Sequence, residues 1–266
     1  MGRESRLKGV LAEGRRAAGT MVFEFNTPGI GRLLESTDVD FVIFDMEHSG
    51  FELDRIRDVV SWSRAATFTS LVRVPADDYH FLARVLDVGA QGVMVPMVGT
   101  GEQAESIVRR CTYPPRGNRG AGFGLAHDDY IVGDLDEKME SANRENTIIL
   151  MIETEQGVHN VAQIAAVPGV DILWVGHYDL SLSLGIPGQF NHPRFTEAIT
   201  TILAAGEARG IPVGILVGDT VSGQAWIDRG FRAVCYSMDV SLLQRALAEG
   251  VAWIRSCPDQ PSNERP

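Results

Sequence analysis

The sequence predicts an α/β protein built as a single (β/α)8 TIM barrel. Eight short runs of β-branched and apolar residues recur along the chain, each closed by a turn signal and followed by helical periodicity. The runs are nearly continuously apolar rather than alternating, as parallel strands covered by helices should be. The length, 266 residues, fits one such barrel, which takes about 250 residues.

The strand signals are GTMVFEF (19–25), FVIFDMEH (41–48), TSLVRVP (69–75), GVMVPMV (92–98), TIILMIET (147–154), DILWVGHYD (171–179), PVGILVG (212–218) and FRAVCYSM (231–238). Between the fourth and fifth, Ala104, Ile107, Val108 and Cys111 fall at i, i+3, i+4 and i+7 behind a capping box of Thr100 and Gln103. After the fifth, Val158, Val161, Ala162 and Ala165 repeat that spacing, and Pro168 follows where the helix should have ended. An open doubly wound sheet is the competing architecture, but GTMVFEFNTPGIG lacks the GxGxxG spacing that would open its first helix. No domain boundary is evident. One barrel domain is expected over residues 1–256, with 257–266 (CPDQPSNERP) a disordered tail. The long interval 99–146 is expected to hold a helix and then the loop YPPRGNRGAGFG (113–124). That loop lacks the Lys and Ser/Thr of a P-loop and reads as lining a pocket mouth.

Composition narrows the function. With 44% hydrophobic and 22% charged residues the chain is an ordinary globular sequence, long enough to bury a core without disulfides. The formal charge of −11 argues against nucleic acid or an anionic membrane as partner. An anionic substrate would need a cationic centre built locally against that field. Cys111, Cys235 and Cys257 lie far apart with no CxxC pair, which reads as reduced thiols. No apolar run approaches about 18 residues and the amino terminus has no signal-like apolar stretch, so a cytoplasmic location is expected.

Catalytic groups of such barrels sit at the carboxyl ends of strands. Four strands place ionisable residues there: Asp45, Glu47 and His48 on the second, Arg73 on the third, Glu153 on the fifth, His177 and Asp179 on the sixth. Glu153 and Asp179 are hard oxygen donors on adjacent strands, suited to a divalent ion that keeps open positions, though each could equally pair with an arginine or cap a helix. His48 is the candidate acid/base, because imidazole ordinarily titrates near neutral pH; the alternative is a structural loop histidine. Arg73 is a permanent cation fit to stabilise an oxyanion, or to pair internally with Asp45 or Glu47; both can hold together. Trp174 and Trp226 read as core or interface residues. No lysine stands at a strand end, which argues against Schiff-base chemistry.

Several ordered motifs resemble the HpcH/HpaI aldolases, metal-dependent (class II) pyruvate aldolases of the 4-hydroxy-2-oxoheptanedioate and 2-keto-3-deoxy-sugar-acid type. The resemblance spans about residues 5–255. It is carried by FDMEHSG (44–50), LVRVP (71–75), VLDVGAQGVMVPMV (85–98), YPPRGNRGAG (113–122), MIETEQGV (151–158) and VPGVDILWVGHYDLSLSLGIPGQ (167–189). It implies reversible cleavage of a 4-hydroxy-2-oxo acid to pyruvate (or hydroxypyruvate) and an aldehyde. His48 would be the base, Arg73 the stabiliser of the enolate oxygen, and Glu153 and Asp179 the ligands of Mg²⁺, Mn²⁺ or Co²⁺. Asp87 would reach toward the histidine of a neighbouring subunit, and the amides of Tyr178 and Asp179 would hold the substrate carboxylate. Asp45 and Glu47 would support the site from behind. The resemblance also implies a homohexamer, a trimer of dimers, with a C-terminal helix exchanged between subunits, here Leu242–Trp253. Two positions depart from the pattern. Met151 stands where a glutamine often touches substrate, and His177 replaces a proline; in an extended segment His177 and Asp179 would both face the site. Residues 24–28, 122–130 and 177–178 are the expected contacts of the aldehyde. A related metal–enolate lyase (an oxaloacetate decarboxylase or a CoA-ester lyase) and a non-catalytic ligand-binding barrel are the alternatives.

Overall fold

The computed structural model describes residues 3–258, so all but the first two residues of the expected tail lie outside it. The chain runs α1 (Arg6–Ala12), β1 (Ala17–Val22), α2 (Ile30–Glu35), β2 (Phe41–Asp45), α3 (Leu53–Trp62), β3 (Thr69–Arg73), α4 (Tyr79–Asp87) and β4 (Gly92–Val95). It continues through α5 (Gly101–Cys111), α6 (Leu135–Glu145), β5 (Thr147–Ile152), α7 (Glu155–Ala165), β6 (Ile172–Val175), α8 (His177–Ser183) and α9 (Pro193–Arg209). It ends with β7 (Val213–Val217), α10 (Thr220–Asp228), β8 (Ala233–Met238) and α11 (Asp239–Ser256). All eight expected strands form. They pair in parallel, in chain order, and β8 pairs back onto β1 to close the barrel.

Side chains alternate across each strand, so every strand feeds two cores. One parity faces outward against the helices, as Val42 and Phe44, Val72, Leu150 and Ile152 do. The other fills the barrel: Phe41 and Ile43, Leu71, Ile149 and Met151, Ile172 and Trp174 share one interior cluster. Continuing that inward parity one step toward the carboxyl end gives Asp45 on β2, Arg73 on β3 and Glu153 just past β5. The apolar interior thus ends in a charged layer at one mouth. The other mouth is stoppered by α1, which the sequence pattern did not reveal; its Leu7 and Val10 join the interior cluster.

The interior packs large against absent side chains. A Cβ on Gly214 of β7 would lie 2.3 Å from the Trp174 ring, and one on Gly19 of β1 would lie 2.7 Å from Phe41. In α5 the four expected positions are the four buried ones, and the Thr100 hydroxyl accepts from the Gln103 amide. Gln103 returns its side chain to the Gly99 amide instead of closing the box on Thr100. In α7 the buried face is Gly157, Val161, Ile164 and Ala165, whereas Ala162 is exposed; Ile164, the larger residue, sets the register. The interval 99–146 contains α6 in addition to the expected helix. Among its residues Ser141 alone is buried, so it has no apolar stripe to betray it.

The C-terminal helix α11 is 18 residues long, yet Asp239 is its one buried residue, and Leu243, Leu247 and Ile254 stand exposed along one side. Tyr236, on the outward face of β8, is also exposed. None of the helices among the described residues is long and apolar enough to cross a membrane.

Volume complementarity in the interior makes a specific prediction. Gly214→Ala is expected to lose about 1–3 kcal/mol in urea unfolding through overpacking against Trp174. Gly9→Ala, on α1 with nothing within 4 Å of the new methyl group, is expected to gain about 0.5–1 kcal/mol.

Candidate active site

Asp45 closes β2 with its side chain pointing into the barrel and fully buried. It pairs with Arg73 Nε, and its other oxygen accepts the His48 backbone N–H at 2.7 Å; the Glu47 N–H lies 3.3 Å from the first. One carboxylate therefore ends the strand, turns the following loop and orients the guanidinium. Glu47 takes the other side of Arg73, with Oε2 3.2 Å from Nη1, and stands 3.8 Å from His48 Nε2. The His48 ring projects outward and is 60% exposed, open to a reactant. Arg73 thus does pair internally, with both acids considered for it, and still faces the cavity.

Glu153 follows β5 in the inward parity and is buried. Its Oε1 accepts the Met97 backbone N–H at 2.6 Å. Met97 holds φ at +57°, an unfavourable region for a non-glycine residue, and that twist after β4 presents its amide to the carboxylate. On the other side a Cβ at Gly176 would lie 2.0 Å from Glu153 Oε2, so only glycine lets the β6 end pass over this carboxylate. Burial pushes the Glu153 carboxyl up to about 7; the Met97 amide opposes the shift, Glu47 and Asp179 add to it, and Arg73 opposes it. Burial likewise raises Glu47, against the pull of Arg73 and His48.

The sixth strand stops at Val175, earlier than expected, and His177–Ser183 is helical. Leu180 and Leu184 are buried at i and i+4 while Leu182 is exposed, the spacing of a helix. The extended placement of His177 and Asp179 is therefore corrected. They occupy the first turn of α8, where backbone N–H groups lack intrahelical acceptors and an acidic side chain is favourable. Burial lowers the His177 imidazole to about 4, and its ring centroid lies 4.5 Å from Tyr178 and 5.2 Å from Phe190.

These elements enclose a cavity of about 330 Å³ at the carboxyl mouth. His48, Arg73, Met151, His177, Tyr178 and Asp179 all line it, and Glu153 lies directly against its Gly176 wall. Trp174, read from sequence as core, is both buried and part of the cavity wall. Asp87 is not brought there within the chain. It ends α4 at the opposite mouth, and its carboxylate is 2.6 Å from Arg119 Nη2. Of the expected aldehyde contacts, 177–178 line the cavity, Phe23 does so in place of 24–28, and 122–130 does not. Cys235 lies inside the barrel, where burial raises its thiol well above the usual range.

Sequence reasoning missed Asp239. Its carboxylate accepts backbone N–H groups from Phe23 (3.0 Å), Glu24 (2.9 Å), Phe25 (2.9 Å) and Val240 (2.9 Å). That clamp fixes the loop after β1 and with it Phe23, whose ring lies 5.5 Å from the Arg73 guanidinium carbon. The signal was available, since Asp239 is one more acid directly after a strand. Met97 and Gly176 carry no such signal, because their roles are in the backbone.

Among the described residues, no group of three or more His, Cys, Asp and Glu is placed to hold a metal ion. Glu153 and Asp179 form a two-carboxylate donor set. Glu153 keeps Oε2 free of hydrogen bonds, and the Asp179 carboxylate makes no hydrogen bond or ion pair within the described chain. Two hard donors, neither hydrogen-bonded to an arginine or lysine, fit a divalent ion that completes its shell with water or substrate oxygens.

Comparison with known proteins bears on the family and the fold. The model of the HpcH/HpaI aldolase/citrate lyase family matches residues 23–246. The chain is 35% identical over 211 residues to a hydroxypyruvate/pyruvate aldolase of Roseobacter denitrificans, covering 79% of this chain and 82% of that one. It is 31% identical over 207 residues to a 5-keto-4-deoxy-D-glucarate aldolase of Escherichia coli, covering 78% and 80%. The crystal structure of an HpcH/HpaI aldolase from Desulfitobacterium hafniense superposes with a TM-score of 0.90 at 33% identity, covering 96% of this chain and 99% of that one.

The raised carboxyl of Glu153 has a consequence for stability. Its folded value, about 7, exceeds the ordinary 4.5, so between these pH values the folded state holds a proton that the unfolded state has lost. Its contribution is full below about 4.5 and lost as pH rises through about 7. With chelator present, Glu153→Gln is expected to stabilise the protein at pH 8 by roughly 2–3 kcal/mol and to change little at pH 4.5. Urea unfolding at the two pH values checks this; equal stability of both proteins at pH 8 would contradict a burial-strained carboxylate.

Proposed function

The chain belongs to the HpcH/HpaI aldolase/citrate lyase family, and we propose that it is a divalent-metal-dependent aldolase. Its relatives support a lyase reaction of the metal–enolate type on small oxo acids. The finer reading is reversible cleavage of a 4-hydroxy-2-oxo acid to pyruvate, or hydroxypyruvate, and an aldehyde. The observation that carries it is the meeting of Arg73, His48 and the Glu153–Asp179 donor set at one cavity.

Glu153 and Asp179 would hold the ion, Mg²⁺, Mn²⁺ or Co²⁺, which when bound supplies Lewis-acid stabilisation of negative charge on substrate oxygen. The Tyr178 and Asp179 amides, free of intrahelical partners in the first turn of α8, receive the substrate carboxylate. His48 takes the proton of the 4-hydroxyl. The C3–C4 bond then breaks: its electron pair stays on the pyruvate fragment as an enolate, and C4 leaves as the aldehyde carbonyl. Arg73, fixed by Asp45 and Glu47, sets a preorganised positive charge beside the oxygen where charge accumulates, a contribution typically of several kcal/mol. Protonation at C3 completes pyruvate. Met151 in place of an amide side chain makes the floor of the cavity apolar.

A homohexamer is part of the same proposal. The exposed Leu243, Leu247 and Ile254 edge of α11 and the uncovered Tyr236 on β8 support it, since both would be covered if two copies exchange this helix. In such an assembly Asp87 of one copy, aligned by Arg119, is assigned to the His48 of its neighbour.

Chelation is expected to abolish cleavage and a divalent ion to restore it, while borohydride with pyruvate should leave the protein mass unchanged; a reduced covalent adduct would overturn the mechanism. His48→Ala should lower turnover at least 100-fold, in line with general base catalysis, while calorimetric Mn²⁺ and pyruvate affinities stay within about threefold; undiminished turnover would remove His48 from its role. Light scattering is expected to give about six times the 29.0 kDa chain mass, with Leu247→Asp giving smaller species.

A further inference from the structure

Above an apolar floor that includes Met94, Met151 and Trp174, the cavity wall has two unlike arcs. Strands β2, β3 and β6 supply its polar groups: His48, Arg73, and the His177–Asp179 turn. The contiguous strands β7, β8 and β1 supply Leu216, Met238, Met21 and, just past β1, Phe23, with no polar side chain among them. Tyr178 and His177, packed together and against Phe190, extend the aromatic surface over the mouth. Charge is as uneven as polarity. Among the described residues Arg73 is the one arginine or lysine on the wall, and Asp45 and Glu47 already occupy it. The charged residues that first follow β7, β8 and β1 are Asp219, Asp239 and Glu24, all acids. Arg245 does come near, its Nη1 2.8 Å from the Gly218 carbonyl, but it lies over Tyr236 on the outward face of β8.

A 4-hydroxy-2-oxo acid has a constant part and a variable one. The constant oxo-acid end needs the polar arc, which leaves the Leu216–Met238–Phe23 arc for the substituent on C4. Burying apolar surface there is favourable by about 25 cal/mol per Å². Burying a carboxylate there would cost far more, because nothing on that arc can pair with it. We propose that the aldehyde partner carries an uncharged apolar substituent, branched aliphatic or aromatic, and that Phe23, Leu216 and Met238 select against an aldehyde bearing a second carboxylate. This rests on the aldolase reading. In the synthetic direction pyruvate C3 loses a proton, the resulting enolate carbon bonds to the aldehyde carbon, and the aldehyde oxygen gains a proton; the substituent itself is unchanged.

The test uses the full chain with Mn²⁺ and pyruvate, comparing 3-methylbutanal with succinate semialdehyde, which are similar in length. In parallel, exchange of the pyruvate methyl protons with deuterium is followed by NMR without any aldehyde. Exchange together with a kcat/KM at least tenfold higher for 3-methylbutanal is the expected result. Leu216→Arg, which puts a cation on the apolar arc, should shift that ratio at least tenfold toward succinate semialdehyde; should the variant fail to fold, the wild-type ratio decides alone. Exchange with equal or better use of succinate semialdehyde, or with turnover of neither aldehyde, overturns the inference and leaves the enolate chemistry standing. Absence of exchange and of turnover overturns both.

Discussion

The buried pair of Asp45 and Arg73 is the constraint around which the site is arranged. Removing two charges from water costs several kcal/mol for each ion, and their attraction offsets this only when the remaining hydrogen-bonding capacity is also satisfied. Here it is. Asp45 takes two backbone amides besides Arg73, and Arg73 takes Glu47 besides Asp45. The groups that satisfy the pair are the ones that build the site: the amides belong to Glu47 and His48. Burying the cation on β3 therefore fixes the loop after β2, and with it the position of the exposed imidazole. A lysine could not replace Arg73, because a single ammonium lacks the fork that reaches two carboxylates at once.

The second carboxylate centre is held by backbone rather than by side chains. Glu153 is buried with no arginine or lysine hydrogen-bonded to it, and its protein partner is the amide of Met97, turned inward by a positive φ. The cost of that conformation, typically of order 1–3 kcal/mol, and the raised carboxyl of Glu153 are both unfavourable to folding. They persist because the barrel around them over-determines the geometry, with Met151 and Trp174 paired in register below and Gly176 crossing closely above.

Strand parity explains how much of this was legible in the sequence. Each apolar run ends in its first polar residue, and where that residue shares the inward parity, as Asp45, Arg73 and Glu153 do, it must cap the interior at the mouth. Counting strands and reading their ends thus reached the barrel and the polar side of the cavity wall, His48, Arg73, His177 and Asp179, but not its apolar side. What escaped has physical causes. The α6 helix hides because its surface is polar nearly all round, and α1 because Leu7, Val10 and Leu11 span barely one turn, too short a window for a periodic signal. The α8 segment misleads because the apolar run ILWV leads straight into GHYD with only one residue between strand and helix, while burial of Leu180 and Leu184 holds the segment helical. Met97 and Gly176 act through φ and through a missing Cβ, which no residue type announces. Asp239 was readable by the same strand-end rule, but its partners are backbone amides of a loop more than 200 residues away.

The net charge of −11 takes on a different meaning once the site is in view. A chain-wide negative field is screened within about 8–10 Å at ordinary ionic strength, so it does not decide what a cavity of this size binds. The local count decides, and it is not cationic: Asp45, Glu47, Glu153 and Asp179 stand around one guanidinium. Arg73 alone is already over-neutralised and cannot make the mouth attractive to a carboxylate. Two features would reverse the local sign, namely the unpaired amides at the start of α8 and the divalent cation proposed to be held by Glu153 and Asp179. A bound cation would also offset the burial that raises Glu153 and the smaller repulsion that Glu47 and Asp179 add to it. Its binding and that of an anionic oxo acid are then favourable to each other through charge alone. The apolar β7–β8–β1 arc, which has no share in that compensation, is where a second anionic group would go unpaired.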